Sequence, residues 1–546
     1  MTPLAQGAAG LAVALGFALV RTRRTGGMAA LCVAQAVVVA IGALARGDVW
    51  VAAAEIVEAG ALGWLGGAPL RALPLTEGLG ESGHSNPSPH PWSASRPRPA
   101  RGRGAGFSTL AAGAVLAVLA SAIPGTGLAL AVVLLGLLLV ASRSLPAQQA
   151  LGIGAVQNGL ALAAITAGLS NWRLALVVLP LLPALAFGAL WLGRDRARTA
   201  LLLAPRPVAW IDAGLCGLAL LFACALPWQL GAHGSVWRLD ARAAQMILLL
   251  AALAAAASWA RRGTTPVWGS RLAMLAGTVV AVLSTAPLAS WLGMALATVG
   301  VAGAALPVRA ESWRRLRLGC TGLGLALFGA VALHATPPPL PVIGCAMLGY
   351  GTLAVLAPEP AVAAVALILR MRGPATEDLL LALGSAALLV GALSLATTRG
   401  PQRRSLNLVW LAQGGAAVFA FGLGTSGGNL AGLLQLSFLA LTQCALLLAR
   451  EGGLDRLAAL AGLAGVPPFG LFPSLALILA ATAARSPWML LPLGAGLAGV
   501  AGAVLLQLPS ERRLLLSPAW VPLALLLIAG FAMPEPLLAW FRLAAR

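Results

Sequence analysis

The chain is 546 residues long, 60% hydrophobic and 10% charged, with a mean hydropathy of +0.91. That composition excludes a soluble globular protein and predicts an all-α, polytopic membrane helical bundle. The formal net charge of +20 is carried by arginine, with no lysine anywhere; the arginines gather at the ends of apolar runs, a placement that encodes membrane topology and argues against nucleic acid as a partner.

Apolar runs of about 17–25 residues, the length a hydrocarbon core requires, recur along the chain and predict about 18–20 transmembrane helices. The first, residues 4–20, is followed by the basic RTRR and lacks a small-residue cleavage site, so it reads as a retained span and not a signal peptide. The run VWVAAAEIVEAGALGWLGG, residues 49–67, carries Glu55 and Glu58 three apart on one helical face, close enough to share a proton or pair with an arginine. Acids buried in a membrane mark ion handling, and Glu58, nearer the middle of the run, is the stronger candidate. The competing reading is a shallow span whose Glu55 reaches the interface. Residues 76–106, rich in Pro, Ser, Gly and Arg, bury too little to order themselves and read as a disordered cytoplasmic loop, with an anionic-lipid tether as the second reading.

Spans resume over residues 107–192 and are interrupted by the basic stretch GRDRARTALLLAPRP, residues 193–207. About seven runs precede this break and about eleven to thirteen follow it, which divides the chain into two membrane modules, residues 1–200 and 201–546. With the N-terminus outside and spans alternating, the arginine clusters at 21–24, 96–103, 194–198, 261–262, 309–317, 403–404 and 512–513 share the cytoplasmic face. Past Arg370 that alternation requires the short segment 361–371 to cross as well. Glu359, between Pro358 and Pro360, reads as a turn residue, and Asp212 and Asp240 as interfacial.

Six cysteines stand singly in apolar segments, and none of the four histidines has a second ligand at metal-binding spacing, so no metal is expected. Phosphate loops, nucleophile elbows and HExxH motifs are absent too, which leaves neither a cofactor nor self-contained enzyme chemistry to expect. The most unusual stretch is GLAGVPPFGLFPS, residues 462–474. Pro467 and Pro468 break a membrane helix there, and broken backbone at membrane depth is tolerated only where protein or a wet cavity surrounds it, so both prolines are expected to face the bundle interior.

Two resemblances follow from these segments. SRSLPAQQALGIGAVQNGLALAAI, residues 142–165, resembles hydrogenase-4 component E, a seven-span subunit. In the second module, WRLDARAAQMILLLAALAAAASWA (237–260), ESWRRLRLGCTGLGLALFG (311–329), LGYGTLAVLAPEP (348–360), RRSLNLVWLAQGG (403–415), LLQLSFLALTQCALLLA (433–449) and the proline motif resemble, in order, the antiporter-like subunits of complex I, hydrogenase-4 component F and Mrp antiporters. The chain thus looks like a fusion of component E-like and component F-like subunits.

What the resemblance implies is qualified residue by residue. The family's ionisable positions fall here on Gln157, Leu353, Gln413, Gln435, Leu439 and Gln443, with further acidic positions near Ala295 and at Leu475; Arg314 alone keeps a cation where the family has lysine, and a guanidinium does not readily release a proton. The reentrant HTWLPDAH-like stretch is missing between Pro360 and Ala361. The implied function is a membrane-arm subunit of a group 4 hydrogenase-like (formate hydrogenlyase) or NADH-quinone oxidoreductase-like assembly in a bacterial cytoplasmic membrane. Its implied partners are the other membrane and peripheral subunits of that complex and the lipid bilayer. The alternative is an active proton or sodium translocator using Glu55 and Glu58.

Overall fold

The computed structural model describes residues 3–22, 24–65, 104–121, 127–143, 146–167, 237–260, 268–304, 309–332, 340–397, 402–450, 453–505 and 517–545. Leu-, Ala- and Val-rich runs with few polar atoms satisfy their backbone groups internally in the only way a single segment can within lipid, as helices. In chain order these are α1 (Pro3–Arg21), α2 (Thr25–Leu44), α3 (Val49–Leu65), α4 (Gly104–Ser121), α5 (Gly127–Ser142), α6 (Pro146–Ala167), α7 (Ala241–Ala260), α8 (Trp268–Leu283), α9 (Pro287–Ala304) and α10 (Arg309–Ala332). They continue as α11 (Leu340–Leu353), α12 (Pro358–Arg370), α13 (Glu377–Thr397), α14 (Gln402–Gly422), α15 (Ser426–Leu448), α16 (Leu454–Leu463), α17 (Leu471–Arg485), α18 (Leu490–Leu505), α19 (Trp520–Phe531) and α20 (Glu535–Ala545).

The all-α expectation holds. Among the described residues six helical stretches are long and apolar enough to span a bilayer: Gly26–Leu44, Ala241–Ala260, Pro287–Ala304, Pro374–Thr397, Ser426–Leu448 and Pro487–Leu505. The α19–α20 pair, bent by 84°, makes a seventh if it counts as one span. Helices α5, α8, α11 and α17 are apolar but run only 16, 16, 14 and 15 residues. Residues 76–103 of the expected loop, Asp212, Cys216, Cys224 and all four histidines lie outside the described residues.

The helices group into two compact units, one comprising Met1–Ala189 with Val308–Pro338, the other Leu190–Pro307 with Pro339–Arg546. In the first unit α10 packs on α6, where Trp313 Nε1 donates to Gln149 Oε1 at 2.7 Å. Gln35 on α2 donates to the Ala12 carbonyl at 2.8 Å, and its Oε1 accepts from Asn158 Nδ2 at 3.1 Å, tying α1, α2 and α6 together inside the bundle.

In the second unit the tightest helix pairs are built on glycine. A Cβ placed on Gly293 of α9 would lie 2.6 Å from the Ala281 nitrogen of α8, and one on Gly384 of α13 would lie 2.4 Å from the Phe419 nitrogen of α14. Backbone meets backbone at these crossings, the arrangement that gives helices close van der Waals packing in lipid. Helix α12 is unusual in that every residue from Glu359 to Leu369 is buried. At its end Arg370 donates to the carbonyls of Ala281, Val282 and Ser284, which are the last acceptors of α8. With about 1.5 Å of rise per residue, α12 extends only about 20 Å, yet it carries the chain from the α8 start, near Arg271, to the α8 end.

Candidate functional site

The break in residues 462–474 is real. Helix α16 stops at Leu463, Gly465 takes a left-handed φ of +76°, the Pro467–Pro468 peptide is cis, and α17 begins at Leu471. The carbonyls of Leu460, Ala461 and Gly462 accept from the backbone nitrogens of Ala464, Val466 and Gly465, but that of Leu463 has Pro467 four residues on, and a proline donates no backbone hydrogen bond. The sequence supplies a replacement from two neighbouring helices. Gln413 of α14 donates from Nε2 to the Leu463 carbonyl at 3.3 Å, Gln435 of α15 donates from Nε2 to Gln413 Oε1 at 2.8 Å, and Ser474 of α17 donates from Oγ to Gln435 Oε1 at 2.6 Å. All three side chains are fully buried.

This line joins two of the predicted positions, Gln413 and Gln435, at the broken helix, and it adds Ser474, which sequence reasoning did not single out. It is polar and uncharged throughout. An amide donates and accepts but neither gains nor loses a proton near neutral pH, so the line holds backbone groups without carrying charge. The prolines are placed otherwise than expected: Pro467 is exposed and Pro468 half-buried. Proline brings only an apolar ring and a carbonyl to the site, and the side chains that face the freed carbonyl belong to α14 and α15. Gly530 of α19 approaches the Pro468 carbonyl so closely that no side chain fits there.

The remaining predicted residues stand apart from this line. Gln443, two turns beyond Gln435 on α15, is buried, and its Oε1 has no hydrogen-bond partner among the described residues. Leu353 is wholly buried at the end of α11 and offers no polar atom. Gln245 of α7, which the sequence reading passed over, donates to Ser437 Oγ of α15 at 2.9 Å. Gln157 lies buried on α6 in the first unit, next to Asn158. Arg314 also belongs to the first unit. It is half-buried in the opening turns of α10 and bonded to Glu311 Oε1 at 2.8 Å, an acceptor shared with Arg315 at 2.9 Å.

Glu55 on α3 is 2% exposed, and its Oε2 has no hydrogen-bond partner among the described residues. Its carboxyl is thus enclosed by neighbouring side chains. The backbone of Glu58 belongs to α3, and its side chain lies outside the described residues. Glu359, expected in a turn, instead opens α12 and is buried, because Pro358 at the first helical position favours the helix that follows. Asp240 is exposed and caps α7 by accepting from the Ala243 nitrogen at 2.7 Å. Cys32, Cys320 and Cys444 are buried and form no disulfide, and no group of metal ligands occurs among the described residues.

No family model matches the chain. Over 162 residues, 23% of this chain, it is 31% identical to a hydrogenase-4 component F homolog of Methylacidiphilum infernorum (isolate V4), and the match spans 34% of that relative's length. Its fold is similar to a chain of the membrane-bound sulfane sulfur reductase, an archaeal respiratory membrane complex, with a TM-score of 0.51 and 16% identity over 67% of this chain and 96% of the other. A chain of the Mrp complex from Dietzia sp. DQ12-45-1b overlays with a TM-score of 0.50 and 16% identity, covering 72% of this chain and 96% of the other. A chain of respiratory complex I from Thermus thermophilus follows at 0.48, with 18% identity over 67% of this chain and 97% of the other. At these identities the structural likeness is one of fold.

Proposed function

We propose that this membrane protein, distantly related over part of its length to a hydrogenase-4 component F homolog, is a membrane-arm subunit of a group 4 hydrogenase-like or complex I-related redox assembly that moves few or no protons itself. The observation that carries the reading is the uncharged Gln413–Gln435–Ser474 line at the broken helix. Proton transfer through a membrane interior needs groups that both hold and release a proton, and these amides and the hydroxyl do neither near neutral pH. They do satisfy the backbone that the prolines free. The scaffold of an antiporter-like subunit is thereby kept while its proton carriers are replaced, and what remains is a body that docks other membrane and peripheral subunits. In this reading residues 1–200 correspond to a component E-like module and residues 201–546 to a degenerate antiporter-like module, in a bacterial cytoplasmic membrane.

A second reading, translocation through the first unit, is favoured by Glu55, a buried carboxylate in a membrane helix and by default a functional candidate. One experiment separates the two. The purified full chain is reconstituted into liposomes and an ion gradient is imposed. The scaffold reading expects proton and sodium flux no greater than protein-free leak. Flux well above leak, lost in Glu55→Gln or Glu58→Gln, refutes it and establishes the translocator.

A further inference from the structure

Among the described residues of the second unit, a further group of buried polar side chains lies away from the glutamine line. Ser258 in the last turn of α7, Arg271 in the first turn of α8 and Glu359 in the first turn of α12 line one small cavity, whose other walls are apolar. All three are more than nine-tenths buried. Arg271 donates from Nη1 to Ser258 Oγ at 2.8 Å. The cavity measures about 10 Å³, the space that one water molecule's centre occupies. Because each of the three residues belongs to a terminal turn of its helix, the cavity lies within about one helical pitch, some 5 Å, of the helix ends.

We infer that Glu359, with Arg271 and Ser258 around a single-water cavity, is a proton-exchange site that opens to one end of the second unit only. Arg271 serves as a positioning residue, holding Ser258 and bringing its guanidinium to the cavity that Glu359 also lines. Exchange proceeds when the O–H bond of the Glu359 carboxyl breaks and the cavity water accepts the proton. That water then passes one of its own protons to solvent beyond the helix ends. The reverse reloads the acid, and no electron moves.

The other groups around Glu359 define the limit of this site. Cys444 on α15 is within electrostatic reach of it. Helix α11, packed beside α12, holds Cys345 and Tyr350, with Tyr350 close to Arg370 at the far end of α12. Helix α9 has no ionisable residue, and the arginines of α14 are confined to its first turn, Arg403 and Arg404. From Pro360 to Leu369 α12 presents only apolar, buried side chains, and Arg370 is engaged by the α8 carbonyls. Among the described residues a proton on Glu359 therefore meets no carrier along α12 before its far end, where Asp240 and Arg242 at the start of α7 stand near Arg370.

Infrared difference spectra of the full chain in lipid bilayers, recorded between neutral and acidic pH, test the site directly. The expected result is a component of the protonated-carboxyl C=O band that shifts down in D2O and is absent from the Glu359→Gln spectrum. In Arg271→Gln, with the guanidinium gone, the same band is larger at a given pH. A folded Glu359→Gln protein with an unaltered band overturns the site. If that variant does not fold, an unaltered band in both Arg271→Gln and Ser258→Ala overturns it instead. The spectra read protonation and not transport, so they stand or fall separately from the scaffold reading. Transmembrane proton flux abolished by Glu359→Gln overturns the one-ended character of the site.

Discussion

Replacing Gln435 by leucine removes the centre of the buried polar line and leaves its two neighbours in unequal positions. Ser474 keeps a partner, since its hydroxyl also lies 2.9 Å from the Leu471 carbonyl. Gln413 does not: its Oε1 accepts from Gln435 at 2.8 Å, and in Gln435→Leu it becomes an orphaned buried acceptor. Side-chain hydrogen bonds between membrane helices contribute about 0.6 kcal/mol on average and up to about 1.7, and an orphaned buried acceptor costs about 1–3 kcal/mol. The expected loss is about 1–3 kcal/mol, or about 5- to 150-fold in the unfolding equilibrium. The chain carries its own reporter, because Cys32, Cys320 and Cys444 are buried. A thiol-reactive fluorogenic probe in mild detergent then measures unfolding as these thiols become accessible. Gln413→Leu combined with Gln435→Leu is expected to cost less than the sum of the two, since each removes the same bond. A Gln435→Leu protein as stable as the parent refutes the reasoning and makes the glutamine line incidental to the broken helix.

Other substitutions probe the packing by the same assay. Gly293→Leu drives a side chain into the α8 backbone, where even a Cβ lies at 2.6 Å, and is expected to destabilise the chain by at least the 1–3 kcal/mol or so of an overpacked core; Gly494→Leu, at an open position, is expected to be neutral and serves as the control. Arg370→Gln strips the α8 end of its donor and is expected to cost about 1.5–3 kcal/mol, as for hydrogen bonds from a charged group. Trp313→Phe deletes the bond to Gln149 and is expected to cost about 1 kcal/mol.

Helix class and the position of the break were legible in the sequence for a local reason. Hydropathy is a property of contiguous residues, and Pro467 and Pro468 act on their own backbone. The partners of the break were not legible, because Gln413, Gln435 and Ser474 lie 22 to 50 residues from the atoms they bond and a single sequence does not record such pairings. Comparison with the antiporter-like pattern marked Gln413 and Gln435 as replaced positions, and the coordinates add that they bond each other. The ion pair of Arg314 was legible, since Glu311 stands three residues away on the same helix. Glu359 was assigned to a turn on the strength of its two flanking prolines. The same proline at Pro358 is a helix-start signal, and an acid that begins an entirely apolar segment is a sign of a buried charge.

The short helix α12 also bears on how the chain enters a membrane in the first place. Its 13 residues fall below the about 17 needed to span hydrocarbon unaided, and they carry Glu359 in the first turn and Arg370 at the end, both costly to insert. Such a segment is not expected to partition into lipid on its own. Its entry is expected to follow the assembly of the helices that bury it more than the order in which the chain is synthesised.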